Sequence, residues 1–365
     1  MLKLLIADDS ALMRKCLSEI FKAEGDFDVM VARNGAEALA LAHSFGPDVI
    51  TLDVNMPEMD GITCLSRIMA ECPKPVVMVS SLTSEGAEVT LQAIDLGAID
   101  FIPKPDGTVS LHLDKIRGPL VAKVRSAAKA RIRLRRSRPP SAPVIARSLT
   151  ACRPGTATTS RIAAGQDGFV PQAGGVRGLV LIGVSTGGPG AIEAILPRLE
   201  RNFPWPILIA QHMPQSFTGV FARRINTLSQ LEVVEVTRPL QLVAGVAYIG
   251  RGDADILVSR RGAELTAITV PASPHHNWHP SVERLVESAL ELVDPKNLLG
   301  VMLTGMGDDG ASAMTTLRNR GGRTIAESEA SAIVWGMPGE LVKRGGASLV
   351  LPLERMADQL RRWTQ

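Results

Sequence analysis

The sequence predicts an α/β protein of two domains, each built on a mostly parallel sheet. Three observations lead there. Short runs rich in Val, Ile and Leu alternate with stretches of helical spacing over the first third of the chain. The alternation fails between about Ala122 and Val176, where Arg, Pro, Ala, Ser, Thr and Gly dominate. It resumes at Gly178, and 365 residues is long for a single domain. Strand–helix alternation favours a parallel sheet because each crossover lays a helix on a sheet face.

In the first domain, placed at 1–123, Leu2–Ala7 reads as a buried strand. Leu12, Met13, Cys16, Leu17, Ile20 and Phe21 recur at helical spacing, which predicts a helix with one apolar stripe over 10–23. Further strands are expected at 29–32, Val49–Asp53, Val76–Ser80 and 100–102, with helices at 36–43, Gly61–Glu71 and 85–96. The stretch 124–177 is a linker. No Asp or Glu occurs from Lys115 to Gln166, whereas Arg131, Arg133, Arg135, Arg136 and Arg138 crowd together, and Pro139-Pro140 breaks any helix. A solvated tether and a docking segment for an acidic protein surface both fit it. Nucleic acid is not an expected partner, because the cluster has no interleaved aromatics and no recognisable DNA-reading helix. In the second domain, 178–365, Leu179–Val184, 206–211 and 298–304 read as buried strands, and 233–236, 246–249 and 256–258 as shorter ones. Helices are expected at 190–201, 217–228, 280–292 and 310–320.

Composition excludes several classes. The cysteines Cys16, Cys64, Cys72 and Cys152 have neither CxxC pairing nor metal-ligand spacing, and the first three, lying among apolar residues, are expected to be buried, reduced thiols. The N-terminal apolar run is too short for a signal peptide, and no segment approaches the roughly 18 apolar residues of a membrane span. A cytoplasmic protein with no membrane insertion is expected.

Chemistry-bearing residues of the first domain gather at strand ends. Asp8 and Asp9 follow the first strand, Asp53 ends the third, and Lys104 follows the last. In an open parallel sheet such positions converge on one crevice. Three carboxylates so close repel one another unless a divalent cation joins them, and oxygen-only ligation suits Mg²⁺. Lys104 could then pair with a phosphoryl oxygen, with a further hydrogen bond from Ser80. The plain alternative is that each Asp caps the helix after it. Over about residues 2–124 the sequence resembles the receiver domains of bacterial two-component response regulators. The resemblance implies a flavodoxin-like (βα)5 fold, Asp53 as acceptor of a phosphoryl group from a histidine kinase, and Asp8 and Asp9 holding Mg²⁺. It also implies Ser80 and Phe101 as the hydroxyl and aromatic switch positions.

In the second domain Gly183-Val184-Ser185-Thr186-Gly187 joins an apolar strand to a helical stretch. A Ser in G-x-S-x-G can present its hydroxyl above a sheet, and helix N-terminal amides behind it could stabilise an oxyanion. A glycine-rich phosphate loop is the rival. His212 follows another strand, and the turn Gly305-Met306-Gly307-Asp308-Asp309-Gly310 follows a third. A hydroxyl, an imidazole and a carboxylate at neighbouring strand ends suit nucleophilic acyl chemistry, and a phosphate loop does not account for His212 or the acidic turn. The chain order Ser, His, Asp differs from the Ser, acid, His of ordinary α/β hydrolases. With Gln211-His212-Met213-Pro214 and Leu303-Thr304-Gly305-Met306-Gly307 also in view, residues 178–353 resemble the chemotaxis protein-glutamate methylesterases. The resemblance implies a C-terminal doubly wound, mostly parallel hydrolase domain that cleaves glutamate γ-methyl esters on methyl-accepting chemotaxis receptors, and deamidates glutamines. It assigns Ser185 as nucleophile, His212 as base and Asp309 as acid, with Thr186 and Met306 in the cleft and the Met306 amide as oxyanion donor. No esterase cofactor is implied, and the phosphodonor is the chemotaxis histidine kinase. Trp278-His279-Pro280-Ser281 departs from the family's usual His-Arg-Pro-Ser, and His275, His276 and His279 are expected on an exposed loop. The unphosphorylated receiver is expected to cover the Ser185 cleft. A phospho-switched module that binds receptor helices without turnover, and a hydrolase for another ester or amide, are the competing readings.

Overall fold

The computed structural model describes residues 1–80, 83–104, 109–130 and 176–365. Its first half alternates β1 (Leu2–Ala7), α1 (Ala11–Ala23), β2 (Phe27–Ala32), α2 (Gly35–Ser44) and β3 (Val49–Asp53). It continues with α3 (Gly61–Glu71), β4 (Val76–Ser80), α4 (Ser84–Asp95), β5 (Asp100–Pro103) and α5 (Val109–Ala128). The strands form one parallel sheet in the order β2-β1-β3-β4-β5. β3 and β4 are buried along their whole length, as strands covered on both faces must be. Helix α5 runs on to Ala128, past the expected start of the linker at 124, and Arg117 and Arg125 tie it to Glu24 and Asp26. The arginine-rich cluster and most of the linker lie outside the described residues.

The second half opens with β6 (Leu179–Val184), α6 (Gly188–Ile195), β7 (Ile207–Gln211), α7 (Gln215–Leu228), β8 (Glu232–Val236), β9 (Leu240–Gln241) and β10 (Val246–Gly250). Then come β11 (Ala254–Arg261), β12 (Glu264–Pro271), α8 (Val282–Leu292), β13 (Leu298–Met302) and α9 (Ala311–Asn319). β14 (Arg323–Glu327), α10 (Met337–Lys343), β15 (Leu349–Leu351) and α11 (Met356–Thr364) complete it. Seven strands make a parallel sheet, ordered β15-β14-β13-β6-β7-β10-β8, while β11, β12 and β9 form a small antiparallel sheet beside it. β6 is central and fully buried. After it the chain winds outward on one side through β7, and later returns on the other through β13. Such a reversal opens a crevice at the carboxyl ends of the strands. Among the described residues no helix is long and apolar enough to cross a membrane.

The halves touch each other directly. The Phe101 ring stacks on Phe217 with centroids 4.2 Å apart, and the Thr186 hydroxyl donates to Asp100 Oδ2 at 2.6 Å. Arg224 pairs with Glu193 at 2.6 Å and with Asp95 of the first half. α4 lies along α7 and also meets α6, the helices that follow His212 and Ser185.

Candidate active site and phosphoacceptor cleft

Register brings the second site together. Val184 pairs with Gln211 across β6 and β7, so Ser185 and His212 leave the sheet side by side. On the other flank Gly183 pairs with Met302, which delivers the turn from Leu303 to Gly310 to the same end. The Ser185 amide donates to Thr304 O at 3.0 Å and the His212 amide to Val184 O at 3.0 Å. The Gln211 amide group donates to the carbonyls of Ser185 and His212, at 3.0 and 3.1 Å. Gly187 takes a left-handed φ of +78°, and a Cβ on Gly188 would fall 1.9 Å from Gln211 Oε1, so this tight turn requires both glycines. Helix α6 starts at Gly188, directly behind Ser185.

Asp309 is 9% exposed and fully engaged. Its Oδ2 accepts from His212 Nε2 at 2.8 Å and from the Val282 amide at 2.7 Å. Its Oδ1 accepts from Ser281 Oγ at 3.0 Å and from the Glu283 amide at 3.1 Å. Burial alone would push the carboxyl up. The bonds from His212 and from the α8 amides outweigh it and hold the group below the ordinary carboxylate range. Asp308 instead turns outward, 61% exposed, to Arg344 at 2.7 Å. With Nε2 committed to Asp309, the buried Nδ1 of His212 is left without a partner. Among the described residues Ser185 Oγ makes no hydrogen bond to the ring, and the Met306 amide makes none either. Thr186 is buried against Asp100 of the first half. An open cavity of about 670 Å³ lies beside the turn that follows Met306, with Gly307, Asp308, Trp335 and Gly336 among its lining residues.

His279 corrects an expectation. It is not on an exposed loop: its ring is 20% exposed and Nδ1 donates to Asp255 Oδ1 at 2.8 Å. Trp278 stacks parallel to the His212 ring, with centroids 5.6 Å apart. His275 is exposed and His276 half-buried. Sequence reasoning also missed Thr304 and Glu327. The Thr304 hydroxyl donates to Thr186 O at 2.9 Å, while its amide donates to the buried Glu327 at 2.8 Å. A Glu at the end of a short strand gives no signal of burial.

In the first half, Asp8, Asp9 and Asp53 each bring a carboxylate oxygen within 4.8 Å of the others. Lys104 Nζ lies 2.7 Å from Asp53 Oδ2 and 3.0 Å from Asp8 Oδ2. Burial raises the Asp53 carboxyl to about 6, against the pull of Lys104 and with help from Asp8. Helix capping does not explain these residues: Ser10 caps α1 and Asp60 caps α3. Ser80 is buried, and its hydroxyl donates to Gly86 O at 3.2 Å. Phe101 is buried in the contact with Phe217. Of the three cysteines expected to be buried, Cys64 is, whereas Cys16 and Cys72 are partly exposed.

Comparison with known proteins gives the family. A family model for CheB methylesterase matches residues 180–360, and one for response regulator receiver domains matches residues 4–114. A Rhodospirillum rubrum protein named protein-glutamate methylesterase/protein-glutamine glutaminase 3 is 58% identical over 364 residues, covering 100% of this chain and 96% of its own. The chain belongs to the CheB methylesterase family. A Rhodopseudomonas palustris relative of the same name, numbered 2, is 55% identical over 366 residues, 100% of this chain and 98% of its own. The solved Thermotoga maritima CheB methylesterase catalytic domain is similar to 52% of the chain at 33% identity, with 99% of that domain covered and a TM-score of 0.49. The two named relatives match the chain over its whole length.

Proposed function

We propose that this protein is a phosphorylation-activated serine hydrolase that demethylates glutamate γ-methyl esters on methyl-accepting chemotaxis receptors and deamidates glutamines there. The observation that carries the reading is the His212–Asp309 pair beside Ser185, with the second ring nitrogen buried and unpartnered. Ser185 Oγ attacks the γ-carbonyl as His212 Nδ1 takes its proton. The imidazolium then protonates the leaving group, so that methoxide departs as methanol, or the glutamine amide nitrogen departs as ammonia. Asp309 fixes the tautomer and stabilises the charged ring. The Met306 amide and the α6 N-terminus face the negative charge that develops on the carbonyl oxygen. Water, activated by His212, cleaves the acyl-enzyme.

Control belongs to the first half. The oxygen-only set of Asp8, Asp9 and Asp53 fits Mg²⁺, which when bound offsets the charge of the incoming phosphoryl group. Asp53 accepts that group from the chemotaxis histidine kinase in the cytoplasm, and Lys104 and Ser80 turn toward it. Phe101 and Asp100 lie next to each other on β5, and both grip the hydrolase half, at Phe217 and at Thr186, the neighbour of the nucleophile. The unphosphorylated receiver therefore restrains the cleft, and rearrangement around phospho-Asp53 loosens the grip. Methanol release from methylated receptor, with and without a small-molecule phosphodonor, tests the reading. Turnover that persists in Ser185→Ala, or a rate unchanged by the phosphodonor, would defeat it.

A further inference from the structure

We infer that Asp255, a residue outside the triad, is a positioning residue for the His212–Asp309 pair, acting through the segment from Ser273 to Arg284. The inference rests on the triad reading above. Asp255 stands near the start of β11, in the small antiparallel sheet, with no exposed surface. A buried carboxylate is costly unless it is paired and bonded throughout. This one is: Oδ1 accepts from His279 Nδ1 at 2.8 Å and from the Ser281 amide at 2.7 Å. Oδ2 accepts from the Ser273 amide at 3.2 Å and from the Arg284 guanidinium. Burial pushes its carboxyl up, but the bonds from His279, Ser281 and Arg284 win and hold it below the ordinary range.

What this anchor holds decides its role. Between its attachment points the segment lays Trp278 over one face of the His212 ring. It also supplies three of the four hydrogen bonds to Asp309, from Ser281 Oγ and the amides of Val282 and Glu283. Ser281 joins the two carboxylates in one residue, its amide on Asp255 and its hydroxyl on Asp309. Loosening the anchor shifts both the acid and the cover of the base, groups that act on the Ser185 proton rather than hold the substrate. A misplacement of about 1 Å in a catalytic group costs on the order of a hundredfold in rate. Chemistry should therefore suffer and substrate binding should not.

The test uses the full-length chain with the phosphodonor present, comparing wild type with Asp255→Asn and His279→Ala. Three quantities are read: kcat and KM on methylated receptor, the rate at which a small fluorophosphonate labels Ser185, and the melting temperature. Asp255→Asn is expected to lower kcat by about 10- to 100-fold, to slow labelling in parallel, and to leave KM within about twofold. His279→Ala, which removes one donor at a partly exposed position, is expected to give the same pattern at several-fold. Should Asp255→Asn fail to fold, His279→Ala decides. Folded variants with kcat and labelling within about twofold of wild type, or a change in KM alone, would overturn the inference. A wild type that neither turns over nor takes the label would instead remove the triad reading, so the two failures are distinct.

Discussion

Asp53 and Asp309 make an instructive pair. Each is a buried aspartate at the carboxyl end of a parallel sheet, 2% and 9% exposed. Burial pushes both carboxyls toward the neutral acid, yet Asp53 is carried up to about 6 while Asp309 ends below the ordinary range. Neighbours account for the difference. Asp309 receives four hydrogen bonds, two of them from the first-turn amides of α8, where the helix dipole also favours negative charge. Asp53 has Lys104 and one long bond from the Asn55 amide at 3.4 Å, and it faces Asp8. A completed shell suits a fixed orienting group. An incomplete one is suited to take up an ion and a phosphoryl group.

The largest expected effects sharpen this contrast. Ser185→Ala and His212→Ala should abolish methanol release. Asp309→Asn should cost about 10³–10⁴-fold in kcat, because the imidazole loses the partner that fixes its tautomer. Asp308→Asn, whose side chain points to Arg344 in solvent, should keep kcat within about twofold. The reverse outcome in the two Asp variants would exchange their roles. Asp53→Asn should preserve unstimulated turnover and lose all response to the phosphodonor. Stripping Mg²⁺ with a chelator should give the wild type the same phenotype. A full response in either case would place the phosphoacceptor elsewhere.

A smaller effect probes the contact between the halves. Phe217→Ala removes the stack on Phe101 and leaves Ser185, His212 and Asp309 in place. An aromatic pair contributes about 0.5–1.5 kcal/mol beyond its burial, so unstimulated turnover should rise about fivefold while the stimulated rate stays near wild type. An unchanged unstimulated rate would make the packed interface incidental to control.

The parallel sheets and most strand ends were legible because buried central strands read as unbroken apolar runs, as in Leu179–Val184. Asp8, Asp53, Ser185 and His212 could be picked out since each directly follows or ends such a run. β14 escaped notice for a physical reason. Its sequence, Arg-Thr-Ile-Ala-Glu, looks half polar, yet Thr324 and Glu327 are both fully buried and satisfied by hydrogen bonds to Gly346 O, Ser331 and the Thr304 amide. Binary patterning cannot register polar groups that are buried because they are paired. Asp255 was hidden in the same way: its partners lie 18 to 29 residues away and meet it only through the fold. The departure at Trp278-His279 was visible as a change of residues, but the stack on His212 and the bond to Asp255 needed coordinates.

The smallest expected effect sets the two aspartates against each other in stability. Asp309 has a folded pKa below its unfolded value of about 4. Its ionised form therefore stabilises the fold above about pH 4, and that contribution fades as pH falls through the depressed value. Asp53 has the opposite sign. Its folded value near 6 lies above the unfolded one, so the metal-free fold is penalised above pH 6 and relieved as pH drops from about 6 to 4. In chelator, Asp53→Asn should raise the melting temperature of its domain by a few degrees at pH 8, with the gain shrinking toward pH 4. Asp309→Asn should lower the melting temperature at pH 8, with the loss shrinking only below about pH 4. Adding Mg²⁺ should abolish the gain from Asp53→Asn, because the cation favours the ionised carboxylate, and should leave Asp309→Asn unmoved. Parallel pH profiles for the two variants would mean that burial alone governs both carboxyls and that their neighbours do not set them apart.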